Sequence, residues 1–190
     1  MTASTNVSTH LFWAISRGAG TTAMILASAG VGFGLTMGAR WRRGSATDRR
    51  AYHEVLALAV MVSIAVHGLA LLGDSYLHPS LVDVTVPFAL SYKTIPTSLG
   101  ILAGWGLICL GLSYYVRRRI GIQRWRLLHR FTLLAWIFGL VHTFTEGSDR
   151  GQLWFIALIL VTAAPALVLL VARLVGVGAR PRTRPLTANA

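Results

Sequence analysis

The chain has 190 residues, of which 54% are hydrophobic and 13% charged, with a mean hydropathy of +0.61 and a formal net charge of +12. Soluble domains run at about 45–50% apolar and about 25% charged. This composition therefore excludes a disordered chain, and it argues against a nucleic-acid-binding domain, whose basic patch does not come with so much apolar surface. What remains is a polytopic membrane protein whose positive charge lies in its loops.

In chain order, residues 1–12 read as an exposed N-terminal segment. A helix needs about 20 largely apolar residues to cross the hydrocarbon core. Five stretches within residues 13–175 qualify: about Trp13–Met37, Tyr52–Leu72, Thr97–Val116, Leu127–Thr145 and Leu153–Val175. The first carries Arg17 and six glycines between Gly18 and Gly38. No basic residue precedes Trp13 and the apolar run is long for a signal peptide, so it reads as a retained span. The connection Gly73–Pro96, with Pro79, Pro87 and an apolar middle, is the longest. It is expected to lie along the membrane surface and cap whatever opens there. Residues 176–190, with Pro181 and Pro185, read as a basic, disordered tail. No period-two pattern is sustained, which disfavours a barrel and makes the expected fold an all-α bundle of about five transmembrane helices. The single cysteine, Cys109, lies in an apolar run and forms no intramolecular disulfide.

The charges predict an orientation. Arg40, Arg42, Arg43, Arg49 and Arg50 fall between spans one and two, and Arg117, Arg118, Arg119, Arg124, Arg126 and Arg130 between spans three and four. Arg173, Arg180, Arg182 and Arg184 end the chain. Only Arg17, Lys93 and Arg150 fall on the other side, with Asp74, Asp83, Glu146 and Asp149. The positive-inside rule then puts the N-terminus outside and the C-terminus in the cytoplasm. The same basic face favours docking of an acidic protein.

Six histidines occur, and His10 and His78 lie in segments expected to be exposed. The others fall on spans two and four: His53 and His67, His129 and His142. Ionisable residues within spans are costly and mark function by default, although a lone one is more often a neutral imidazole bonded to a neighbouring helix. Spans two and four run parallel, so the four define two levels, His53 with His129 near the inner face and His67 with His142 near the outer. At 1.5 Å per residue the levels lie roughly 20 Å apart. Two imidazoles from facing helices are what a bis-histidine haem requires, whereas zinc would want its ligands gathered around one ion. At about 100° per residue, the step from His53 to His67 returns to within roughly 40° of the same face. The step from His129 to His142 falls about 140° away, a gap that an overwound stretch would partly close.

These residues resemble the ferric reductase transmembrane family, which includes ferric reductases and NADPH oxidases. The pattern His53-x13-His67 with His129-x12-His142 matches its paired spacing on alternate helices. Local matches are Ser16-Arg17-Gly18-Ala19-Gly20, Trp125-Arg126-Leu127-Leu128-His129, and the run from His142 to Asp149. The last two look like small stand-alone bacterial members, and the resemblance covers about residues 13–170. It implies two b-type haems, an inner one on His53 and His129 and an outer one on His67 and His142, carrying electrons outward across a bacterial cytoplasmic membrane. Arg17 would suit a carboxylate such as an outer haem propionate, against the plainer reading of an arginine snorkelling to the interface. Arg126 would do the same at the inner level, where most loop arginines set topology.

The departures are instructive. Full-length relatives add a cytosolic flavin and nicotinamide domain, so FAD and NAD(P)H would enter only through a separate partner. Many relatives have six spans where this chain has five. Oxygen-reducing relatives place a second histidine four residues after the outer ligand, where this chain has Leu71, which weakens a superoxide-generating role. The expected function is transmembrane electron transfer from a cytoplasmic flavoprotein or reduced carrier to a ferric chelate outside. A membrane subunit feeding an extracytoplasmic partner enzyme is the alternative, and a small transporter or channel subunit without haem is a third. No phosphate loop, HExxH, CxxC or Ser–His–Asp set is present.

Overall fold

The structure is a computed structural model that describes residues 4–38, 45–147 and 149–176, with residues 4–9 as backbone. Eight helices occur among the described residues and no strand. They are α1 (Ser4–Gly38), α2 (Ala46–Leu71), α3 (Leu81–Thr85), α4 (Thr94–Leu112), α5 (Arg117–Ile120), α6 (Ile122–His129), α7 (Thr132–Glu146) and α8 (Leu153–Leu174). Five segments are long and apolar enough to cross a membrane: His10–Met37, Ala46–Leu71, Thr94–Leu112, Ile122–Glu146 and Leu153–Leu174. The all-α, five-span architecture is thus present, and the chain is a multi-pass membrane protein by its helices. Arg40, Arg42, Arg43, Ser148, Arg180, Arg182 and Arg184 lie outside the described residues.

Two boundaries differ from expectation. Residues 4–12 are not a separate segment but the first turns of α1, because no proline or glycine precedes Gly18 to stop the helix. His10 is accordingly an exposed helical residue. The fourth span is two helices: α6 ends at His129 and α7 begins at Thr132. Across that junction Arg130 N–H bonds the Leu127 carbonyl, Phe131 N–H the Leu128 carbonyl and Leu133 N–H the Arg130 carbonyl. These i→i−3 bonds mark an overwound turn of three residues per revolution.

Apolar side chains face outward along the spans, as a lipid environment requires. On α2, Val55, Val62 and Leu69 recur every seventh residue and are each more than 60% exposed, whereas Val60, midway between His53 and His67, is buried. One face of α2 meets lipid and the opposite face carries the histidines. Small residues bring helices together: Ala163 and Ala166 of α8 are buried, with Ala166 against Gly32 of α1, and Gly106 of α4 abuts Ala135 of α7. Such contacts replace the hydrophobic drive that lipid does not supply.

The packing is a pair of hairpins. α1 lies along α2, α4 lies along α7, and α1 also packs on α8 and, to a smaller extent, α7. α2 and α7, which carry three of the four span histidines, scarcely touch. At the centre Trp136 is fully buried and its indole N–H donates to Ser28 Oγ at 3.1 Å, while Ser28 Oγ donates to the Met24 carbonyl at 2.8 Å. Ser28→Ala leaves that N–H without an acceptor in a dry core, so about 1–3 kcal/mol should be lost. Thermal unfolding in detergent measures this, and an unchanged midpoint would show that the bond contributes nothing net.

Two histidine pairs as the candidate functional site

The gap between α2 and the span formed by α6 and α7 is bridged at two levels. His53 and His129 have ring centres 6.2 Å apart, and His67 and His142 have theirs 6.4 Å apart. Their planes are inclined at 88° and 70°. The overwound junction accounts for part of the pairing, since three residues at about 120° in place of about 100° recover roughly 60° of the 140° separating His129 from His142.

The outer pair is held by a motif that occurs twice. His67 Nδ1 lies 2.8 Å from the Ser16 carbonyl, and four residues on, an added Cβ at Gly20 would sit 3.0 Å from the same ring. His142 Nδ1 lies 3.0 Å from the Pro96 carbonyl, and four residues on, a Cβ at Gly100 would sit 2.5 Å from that ring. In a helix the carbonyl of residue i already accepts from the N–H of i+4. Only when residue i+4 lacks a side chain can an imidazole approach from the side and donate to the same carbonyl. With Nδ1–H spent on a carbonyl, the neutral ring keeps its lone pair on Nε2, the tautomer of a metal-binding histidine. Ser16, itself buried, closes the arrangement with Oγ 3.2 Å from the His67 carbonyl.

The inner pair is held differently. Gly34 approaches His53 and would place a Cβ 3.4 Å from its ring. His129 faces the Leu110 carbonyl, but its Nδ1 makes no hydrogen bond, and here residue i+4 is Tyr114, with a full side chain. The Nδ1 atoms of both His53 and His129 are buried without a partner. Aromatic faces brace them in its place: Phe33 stacks on His53 at 6.4 Å, and Trp125 stacks on His129 at 5.1 Å and 24°.

A cavity of about 1080 Å³ opens at the outer level, at the upper end of the range for cofactor sites. His67 and His142 line it with Gly20, Gly100, Met24 and Trp136. The segment between α2 and α4 contributes Tyr76, Leu77, Pro79, Leu81 and Thr85 to its lining. That segment is pinned: Asp74 accepts from the Tyr76 and Leu77 N–H groups, Ser80 and Asp83 form a capping box, and the Trp105 indole donates to the Thr85 carbonyl. Hydrogen bonds from Ser80 hold the Asp83 carboxyl below the usual carboxylate range.

Arg17 lines this cavity, and the carboxylate it meets is Asp149, with Trp13 and Trp154 on its flanks. Lys93 pairs with Glu146 at 3.6 Å on the same rim. Arg126 is exposed on α6 and does not line the cavity. Sequence reasoning gave Ser16, Gly20, Gly34, Pro96 and Gly100 no role at the histidines. The signal available was the 14-residue interval from Gly20 to Gly34, which equals that from His53 to His67 on the antiparallel neighbour.

The pairs suit a flat group with an axial ligand on each face. A nitrogen–metal bond is about 2.0 Å and a ring centre lies about 1.1 Å behind its nitrogen, so ligands on opposite sides of one ion have centres about 6 Å apart. Both observed separations match. Among the described residues no group of three or more His, Cys, Asp or Glu is gathered as a metal cluster. Comparison with known proteins finds no matching family model, no matching curated protein and no matching solved structure.

Proposed function

We propose that this chain is a dihaem b-type cytochrome of the bacterial cytoplasmic membrane, conducting electrons from a cytoplasmic flavoprotein or reduced carrier to an acceptor outside. The observation that carries the reading is the pairing of four span histidines at two levels, 6.2 and 6.4 Å between ring centres, across helices that scarcely touch. A bis-histidine haem supplies an iron that takes up and releases one electron at a time.

The chain's own residues do the rest. His53 and His129 would hold the inner group and His67 and His142 the outer. The Ser16 and Pro96 carbonyls fix the outer imidazoles in one tautomer, so little reorganisation accompanies a change of charge between them. Met24, Ala27, Leu107 and Trp136 keep water from the outer level, and the Gly73–Pro96 segment limits entry from outside. The arginine-rich side faces the cytoplasm by the positive-inside rule.

The resemblance names a ferric chelate as the acceptor. A partner protein is the second reading, favoured by Tyr76, Leu81 and Phe88, which stand 83%, 63% and 67% exposed on the segment that contributes to the cavity lining. Purified protein made with ample haem should give a dithionite-reduced b-type spectrum and a pyridine haemochrome with about two haems per chain. No Soret absorption would sink the proposal in favour of a transporter or channel subunit.

A further inference from the structure

Among the described residues, the His53/His129 level connects to the surface through aromatic rings. Trp125 precedes His129 by one turn of α6 and lies against its imidazole at 5.1 Å. Tyr114 sits 6.0 Å from Trp125, and Tyr115 sits 5.5 Å from Tyr114, with 53% of its surface exposed. Each step falls within the range of aromatic contact. The ladder is fixed in place: the Trp125 indole donates to Ser113 Oγ at 3.1 Å, the Arg117 guanidinium covers Tyr114 at 3.8 Å, and the Tyr115 hydroxyl donates to Glu54 at 2.7 Å. Among the described residues, His67 and His142 have no aromatic ring contact beyond each other.

The ladder lies within the densest basic stretch of the chain. Gly121, at φ +92°, takes a conformation that side chains resist and turns α5 into α6. Arg117, Arg118 and Arg119 then precede the turn and Arg124, Arg126 and Arg130 follow it, with no acid between Val116 and Phe131. All but Arg117 are exposed. Topology asks only for basic residues somewhere in this loop. It does not ask for a row of rings that ends on a histidine.

We propose that Tyr115, Tyr114 and Trp125, in the same short stretch of chain as these arginines, form the port where an acidic cytoplasmic flavoprotein docks and passes single electrons to the His53/His129 level. The inference rests on the haem reading above. One electron leaves the donor's reduced flavin and one ferric iron at that level becomes ferrous, while the flavin's proton stays on the donor side. No bond of this chain forms or breaks, and the three rings are positioning residues that undergo no net oxidation. The arginines steer an acidic partner onto the port and raise its occupancy.

The test uses full-length protein in detergent and a photoreduced bacterial flavodoxin, an acidic flavoprotein, in stopped flow. Arg118→Glu with Arg119→Glu should lower the second-order rate constant about tenfold and flatten its dependence on ionic strength, with the limiting rate at saturating flavodoxin unchanged. Trp125→Leu and Tyr114→Leu should lower the limiting rate several-fold, and Trp125→Phe should restore it. Binding of oxidised flavodoxin to immobilised protein should weaken in the arginine variant alone. Tyr114→Leu leaves the ring against His129 untouched, so it keeps the test open if Trp125→Leu loses pigment. A normal dithionite-reduced spectrum with parental flavodoxin kinetics in all these variants overturns the port and leaves the haem reading standing. Absence of any haem spectrum in the parent overturns both.

Discussion

His142→Ala is expected to leave one haem per chain where the parent holds two, with the Soret band about halved and the remaining haem that of the inner level. His67→Ala should do the same, because each removes one axial ligand from the same pair. His53→Ala and His129→Ala should remove the inner group and spare the outer. The expectation follows from the roughly 20 Å between levels, which prevents a histidine of one level from replacing a ligand at the other. Pyridine haemochrome quantification against protein concentration reads the stoichiometry, and potentiometric titration shows which group remains. Two haems in any of the four variants would overturn the ligand assignment.

The second large effect concerns a residue with no side chain. Gly100→Ala places a methyl carbon 2.5 Å from the His142 ring, closer than real contacts allow, so the ring must leave the Pro96 carbonyl. Losing the group that orients a ligand costs about 10–100-fold in metal affinity, and overpacking adds about 1–3 kcal/mol of destabilisation. The expected order is Gly100→Ala, then Gly20→Ala at 3.0 Å, then Gly34→Ala at 3.4 Å, which is ordinary contact. For Gly34→Ala the gain in helix propensity, up to about 1 kcal/mol, should offset most of the strain. Haem retention after gel filtration and thermal midpoints should both follow this order. Equal behaviour of the three would show that the close approach of glycine to imidazole is not what holds the rings.

Much of this was legible in the sequence. Hydropathy places five spans within a few residues of their helices, and the 14-residue interval from His53 to His67 puts both on the buried face of α2, as Val60 between them shows. The apolar segment after α2, read as a cap, supplies residues to the cavity lining at that end. The break between His129 and Thr132 was not visible, because Arg130 and Phe131 carry no proline or glycine and the junction lies in a choice of hydrogen-bond partners. Nor was the pairing of Arg17 with Asp149, since residues far apart in sequence meet only when α1 packs beside the start of α8. The glycines of the first span stood out in the sequence only by their number. Their meaning depended on knowing which carbonyl lies four residues before each, and which ring lies across from it.

The division of the bundle into hairpins bears on how the protein is made. α1 and α2 leave the ribosome first and bring His53 and His67 with the Ser16 carbonyl; α4, α6 and α7 follow with His129, His142 and the Pro96 carbonyl. Each hairpin thus carries half of both sites and neither carries a whole one. A cofactor gripped from two sides would tie α2 to α6 and α7, which hardly meet on their own, and its binding free energy would add to the stability of the assembled chain. On the haem reading, pigmentation marks completed insertion, and a truncated or half-inserted product would stay colourless and open to proteolysis.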